Sequence, residues 1–307
     1  MQPFRFAVQV SAAESATAWR DLARKVEDLG YSTLFIPDHF DNQFGPLVAL
    51  TVAAEATSRL RVGSLVFGND YRHPVVLAKE IATLALMSEN RVEFGLGAGW
   101  MSSDYRSSGI PEDRPGVRVS RMEEALALYT SLWTHGTASL DGEHYQVVDA
   151  VSTPVLSQRP PIIIGGGSPR VLGIAARHAD IVGVNPNLAA GYIGREVIES
   201  TQAEYFDERV RWVREAAGDR FAQLELQILT FFVTLTNERQ SAIDGLAGMM
   251  GVTSEQVAET PVALIGSVDH IVETLQMRRE RFGFNYVVVH EAEMEAFAEV
   301  VAALTGR

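Results

Sequence analysis

The 307-residue sequence contains no cysteine, which removes disulfides, cysteine-ligated zinc, iron–sulfur clusters and cysteine nucleophiles from the chemistry it can support. It also has no stretch of about 18 apolar residues, the length a membrane-crossing helix needs, and the opening MQPFRFAVQV lacks the long apolar run of a secretory leader. The chain is therefore read as soluble and cytoplasmic, with no membrane partner. Positive charge is scarce: 26 Lys and Arg stand against 39 Asp and Glu, and the net charge of −13 repels polyanions and argues against a nucleic-acid partner. No histidines stand at HExxH spacing and no GxSxG elbow occurs, so neither zinc hydrolysis nor serine hydrolysis is supported and no metal is expected.

What is present is an ordinary globular composition, 47% hydrophobic and 21% charged, arranged as short apolar runs that alternate with amphipathic stretches. Strand-like runs fall at Arg5 to Val10, Ser32 to Pro37, Leu60 to Phe67, Val92 to Leu96, Pro161 to Ile164, Asp180 to Val184, Leu224 to Thr234 and Tyr286 to Val289. Helical patterns fill the intervals: Thr17 to Leu29, Pro46 to Ser58, His73 to Ser88, Arg121 to Trp133, Val171 to His178, Ile193 to Ala217, Ser241 to Val257 and Ser267 to Arg281, with Met294 to Leu304 closing the chain. Between Ser139 and Ala150 the period changes around Asp141-Gly142, which predicts a β-hairpin excursion. Eight buried-type strands separated by helices imply parallel βαβ units closed into a (β/α)₈ TIM barrel, one domain over 1–307, with a doubly wound sheet as the alternative.

A barrel of this kind gathers its reactive groups in the loops that follow its strands. After the second strand stands Asp38-His39, a carboxylate beside an imidazole able to move protons near neutral pH, or else a turn cap beside a structural histidine. After the third, Arg72 is an anion-binding candidate or an ion pair, and Pro74 suits the first turn of a helix. After the fourth, Gly97-Ala98-Gly99-Trp100 lacks the full dinucleotide fingerprint. Its glycines let a flat ring approach the backbone with Trp100 as a wall, or serve only tight packing. After the fifth, Gly165-Gly166-Gly167-Ser168-Pro169 offers an N-capped helix start whose free N–H groups suit a phosphate, or a turn shaped by its glycines alone.

Taken in order, Pro37-Asp38-His39, Leu65-Val66, Arg72-His73-Pro74, Gly97-Ala98-Gly99-Trp100 with Asp104-Tyr105, and Gly165-Gly166-Gly167 resemble the luciferase-like oxidoreductase superfamily along essentially the whole chain. Within it they resemble most the branch that uses the deazaflavin F420. The resemblance implies a bacterial-luciferase-type barrel with the hairpin insertion and a non-proline cis peptide at Leu65-Val66. It also implies a cofactor ring over the strand ends, with its phosphate at Gly165 to Ser168. One departure stands out: the sugar-phosphate dehydrogenases of the superfamily carry a catalytic Glu just after the strand-four glycines, where this chain has Trp100.

The function this implies is hydride transfer between F420 and an organic small molecule, with His39 and Asp38 as the catalytic pair. Leu65, Val66, Arg72, Gly97 to Trp100 and Gly165 to Ser168 are the cofactor contacts. An FMN-dependent monooxygenase and a non-catalytic flavin-binding barrel are the alternatives. A homodimer is expected from the resemblance, with the Leu77 to Met87 helix face as its candidate surface.

Overall fold

The computed structural model describes residues 2–307. Its strands are β1 (Arg5–Gln9), β2 (Thr33–Ile36), β3 (Arg61–Gly68), β4 (Val92–Gly97), β5 (Thr137–Asp141), β6 (Gln146–Val151), β7 (Ile162–Gly166), β8 (Ile181–Val184), β9 (Glu225–Leu229), β10 (Phe232–Leu235), β11 (Ala263–Gly266) and β12 (Phe284–His290). Eight of them close a barrel in the order β1-β2-β3-β4-β7-β8-β9-β12, every neighbouring pair parallel. The (β/α)₈ architecture and its antiparallel hairpin, β5 with β6, are as the hydrophobic rhythm predicts.

Prolines begin four of the surrounding helices, Pro46–Ala56, Pro74–Met87, Pro115–His135 and Pro169–His178, where the missing N–H has no intrahelical partner to lose. The sequence reading placed the third of these from Arg121. Its first turn carries Gly116 and polar residues and so shows no apolar period.

Further differences from the sequence reading lie in the strand and helix divisions. The Leu224 to Thr234 run is two strands, because Thr230 breaks away after β9 and its N–H and hydroxyl bond the Val288 carbonyl. The emerging β10 pairs with β11, an Ala-Leu-Ile-Gly run too short to stand out after Val257, in a separate parallel sheet. Ile193 to Ala217 is two helices, Arg195–Glu199 and Ala203–Ala217, and Ser241 to Val257 likewise divides into Arg239–Met250 and Ser254–Glu259. Finally Ser102–Ser108, SSDYRSS, is a short helix without any apolar stripe to announce it.

Strand alternation sorts the core into two layers. Phe6, Val8, Leu34, Ile36, Val62, Phe94, Leu96, Ile162 and Ile164 belong to the large shell between barrel and helices. Ala7, Phe35, Ile163, Ile181, Tyr286 and Val288 fill the lumen, with Leu65 and Leu229 packed on them. Below this lumen cluster the N-terminal end is closed by charge. The buried Glu93 carboxylate accepts from Arg5 Nη1 (2.5 Å), Arg61 Nε (2.9 Å) and the Tyr286 hydroxyl (2.9 Å), and Arg5 also holds Glu225.

Candidate active site

Two ends of the barrel compete as sites. A depression of about 470 Å³ opens at the N-terminal end over Arg5, Arg61, Glu93, Arg159, Asp180 and Glu225. Its charges are mutually satisfied: Glu93 has three donors, and Arg159 pairs with Asp180 through both nitrogens at 2.6 and 2.9 Å. Conserving ion pairs rather than presenting free groups, that end works as a plug. The strand C-termini carry the unspent chemistry.

There the buried Asp38 does not touch the His39 ring. Its carboxylate forms a two-pronged pair with Arg72 (2.5 and 3.1 Å) and accepts the Gly68 N–H at 3.0 Å. It thereby ties the loop after β2 to the exit of β3, and it takes up the Arg72 charge, which is not left open to an anion.

The partner of His39 is Asp104, on the short helix after β4: Nδ1 lies 2.7 Å from Oδ2, and the carboxylate is almost fully buried. The same carboxylate accepts from the Tyr71 hydroxyl (3.1 Å) and the Phe40 N–H (3.3 Å). Burial, and then the Asp104 charge, push the Tyr71 hydroxyl well above its ordinary range, so it stays a donor. Trp100 stands perpendicular to the imidazole at 5.8 Å between centroids, a wall beside the proton-carrying group. Behind it the Gly99 carbonyl accepts from the buried Arg118 (3.0 Å), which also reaches the Tyr105 hydroxyl at 3.1 Å.

The Leu65-Val66 peptide bond is cis. It coincides with a break in register between β3 and β4, where pairing jumps from Ser64 to Phe67. The Leu65 carbonyl is bonded by the Gln9 amide at 3.0 Å. Val66 leans over Gly97 so closely that a Cβ there would sit 2.7 Å from its methyl. Bulge and glycine together form a flat-sided slot. Just past the end of β7, Gly167 lies against the Asn185-Pro186 backbone, where a Cβ would come 2.3 Å from the Pro186 oxygen. Ser168 caps the ten-residue helix Pro169–His178, its hydroxyl accepting from the Val171 N–H at 3.5 Å. A planar ring ending in a phosphate fits these residues: a slot for the plane, then an N-capped helix start for the anion.

The hairpin is docked onto this end. Glu124 gathers the N–H groups of Glu143, His144 and Tyr145 at 2.9–3.1 Å, and the Tyr145 hydroxyl accepts from Asn69 at 3.1 Å. Sequence reading missed Asp104 as the partner of His39, as well as Tyr71 and Gln9. The Asp104-Tyr105 pair after the glycines was the one signal that could have found the first. Among the described residues, no cluster of three or more His, Asp or Glu is placed to hold a metal, and no helix is long and apolar enough to cross a membrane.

Comparison with known proteins shows the family and the fold. A family model described as luciferase-like monooxygenase matches residues 1–260. The F420-dependent glucose-6-phosphate dehydrogenase of Amycolatopsis mediterranei is 31% identical over 172 residues, 52% of each chain, so that this match spans about half the length of the relative. The enzyme of the same name from Intrasporangium calvum is 26% identical over 289 residues, covering 87% of this chain and 86% of that one. In fold, the coenzyme F420-dependent tetrahydromethanopterin reductase of Methanopyrus kandleri superposes with a TM-score of 0.76 at 20% identity, over 99% of this chain and 98% of that one.

Proposed function

This chain belongs to the luciferase-like monooxygenase family, and we propose that it is an F420-dependent oxidoreductase that moves a hydride between the deazaflavin and an organic small molecule. The observation that carries this reading is the Asp104-held imidazole of His39, set against Trp100 at the rim of a slot shaped by Val66 and Gly97. Leu65, Val66 and Gly97 to Trp100 would hold the ring, and Gly165 to Ser168 the phosphate. When bound, F420 supplies a two-electron hydride carrier.

The chain's own work is then positional and protonic. With its Nδ1–H donated to the Asp104 carboxylate, His39 keeps Nε2 for the substrate. It gives a proton to the substrate heteroatom when the substrate is reduced and takes one when the substrate is oxidised. Trp100 excludes water from one side of that exchange. The Asp38–Arg72 pair keeps the loops after β2 and β3 in register, so that His39 and the Leu65-Val66 bulge stay aligned.

Cytoplasmic location and a homodimer are part of this reading. Within Pro74–Met87 the residues Leu77, Ala78, Ile81, Ala82, Leu84 and Ala85 are buried in the monomer, which leaves Val76, Leu86 and Met87 as the apolar remainder for a second copy. Titration of the apo-protein with F420 and with FMN, followed by cofactor fluorescence, tests the cofactor. We expect F420 to bind at least about tenfold tighter, a difference of about 1.4 kcal/mol. Preference for FMN turns the reading to an oxygen-using monooxygenase, and binding of neither overturns it.

A further inference from the structure

The mouth of the barrel is asymmetric. On the β3–β4–β7 side it is shaped by Val66 and by Gly97 and Gly165, and the other arc carries side chains. Ala7 of β1 and Val288 of β12 point into the lumen, so by strand alternation their successors Gln9 and His290, which are register partners, project into the mouth. The Gln9 amide bond to Leu65 O fits that direction. Asn185 enters from the end of β8, its amide nitrogen 2.9 Å from where a Cβ on Gly165 would lie, and Leu229 caps the lumen cluster from β9.

This arc of amide, imidazole, amide and isobutyl groups has no fixed charge. His290 is half-buried, and burial lowers its pKa below the ordinary value, which leaves it neutral at neutral pH. The segments leading away turn few bases to the arc, and after β9 the next one, Arg239, is bonded to the Ile265 carbonyl at 3.2 Å. After β12 come Glu291 and Glu293, and after β1 comes Glu14. After β8 the nearest base, Arg195, is paired with Glu199 at 2.8 Å. The chain's two lysines, Lys25 and Lys79, are exposed on the outer helices Ala16–Asp28 and Pro74–Met87. Across the mouth, Arg72 is taken by Asp38 and Arg121 by Asp70. A phosphate ester entering this arc would lose its hydration without gaining a cation.

We propose that the Gln9–Asn185–Leu229–His290 arc is the substrate side of the mouth and that, for want of a cation, it takes an uncharged molecule through hydrogen bonds. This rests on the F420 reading for the reaction, but its charge argument stands on the arc alone. It separates the chain from the two relatives named above, whose stated substrate is a sugar phosphate.

The test is anion binding to the F420-loaded protein, read by tryptophan fluorescence and by calorimetry, with inorganic phosphate and glucose 6-phosphate as probes. Wild type and His290→Gln are expected to show no saturable binding, and His290→Lys to gain at least about tenfold in affinity for both probes. Leu229→Lys, on the adjacent strand, provides the same gain if the first lysine variant does not fold. Saturable binding of either probe by the F420-loaded wild type, or oxidation of glucose 6-phosphate by wild type, overturns the inference. So does the absence of any gain in a folded lysine variant. Loading with F420 is measured first; if it fails, the reaction class falls, and on the unloaded protein, where the Gly165–Ser168 helix start is open to phosphate, the gain of the lysine variants over wild type decides the charge of the arc.

Discussion

His39 Nδ1 and Asp104 Oδ2 meet at 2.7 Å although 65 positions separate them in the chain. The contact joins the loop after β2 to the helix after β4, and the same carboxylate gathers Tyr71 and the Phe40 N–H. One buried acid therefore sets the tautomer of the imidazole, the direction of its free nitrogen and the spacing of three loops.

Asp104→Asn keeps the shape and removes the charge. A carboxamide can offer an N–H where the imidazole needs an acceptor, so the ring takes the wrong tautomer or turns. Turnover is expected to fall by roughly 10²–10⁴-fold with the dissociation constant for F420 little changed. An equal loss in cofactor binding would make Asp104 a scaffold residue.

His39→Asn removes the proton carrier and leaves the slot intact. F420 affinity should persist while single-turnover hydride transfer drops by about 10² or more. An unchanged rate would reassign the chain as a barrel that binds its ligand without catalysis by this residue.

Two glycine substitutions separate slot from scaffold. At Gly97 an added Cβ meets the Val66 methyl at 2.7 Å, whereas at Gly95 it meets the Ser64 backbone oxygen at 2.1 Å. A side chain can shift where a backbone cannot. Gly97→Ala should lose about 1–3 kcal/mol of stability along with cofactor affinity, and Gly95→Ala should lose more stability or fail to fold, as read by thermal melting.

Asp38→Asn leaves the Arg72 guanidinium without its counter-charge in a site where only 24% of its side chain is exposed. A loss of about 3 kcal/mol in denaturant titration is expected, and Arg72→Met in the same background should recover part of it.

Acidification should weaken the fold before the carboxylates titrate. Burial holds His178, His270 and His290 below the 6.5 of a free imidazole, with neighbouring arginines adding to the effect at the first two. Below that value the unfolded chain binds more protons than the folded one, so stability falls as pH falls. Melting temperature is expected to drop between about pH 7.5 and about pH 5.5, and His178→Gln should flatten part of that slope.

The barrel was legible because each of its eight strands is an apolar run long enough, or well enough bounded, to break the helical period. The catalytic rim was legible in part, since Asp38, His39 and the two glycine loops follow strands directly. What the linear pattern could not carry was pairing. Asp38 and His39 are adjacent, yet successive residues leaving a strand face different ways, so the acid went to Arg72 and the imidazole to Asp104. The β11 strand stayed hidden because four apolar residues after Pro261 fit a helix turn as well as a strand, and only pairing with β10 decides.

The charged plug of Arg5, Glu93, Glu225 and Tyr286 gives the barrel a single doorway. Whatever enters between the strand C-termini leaves by the same opening. A cofactor ring seated beside Val66 would be covered by the substrate that follows it, so addition is expected to be ordered, cofactor before substrate, and excess substrate to slow cofactor exchange.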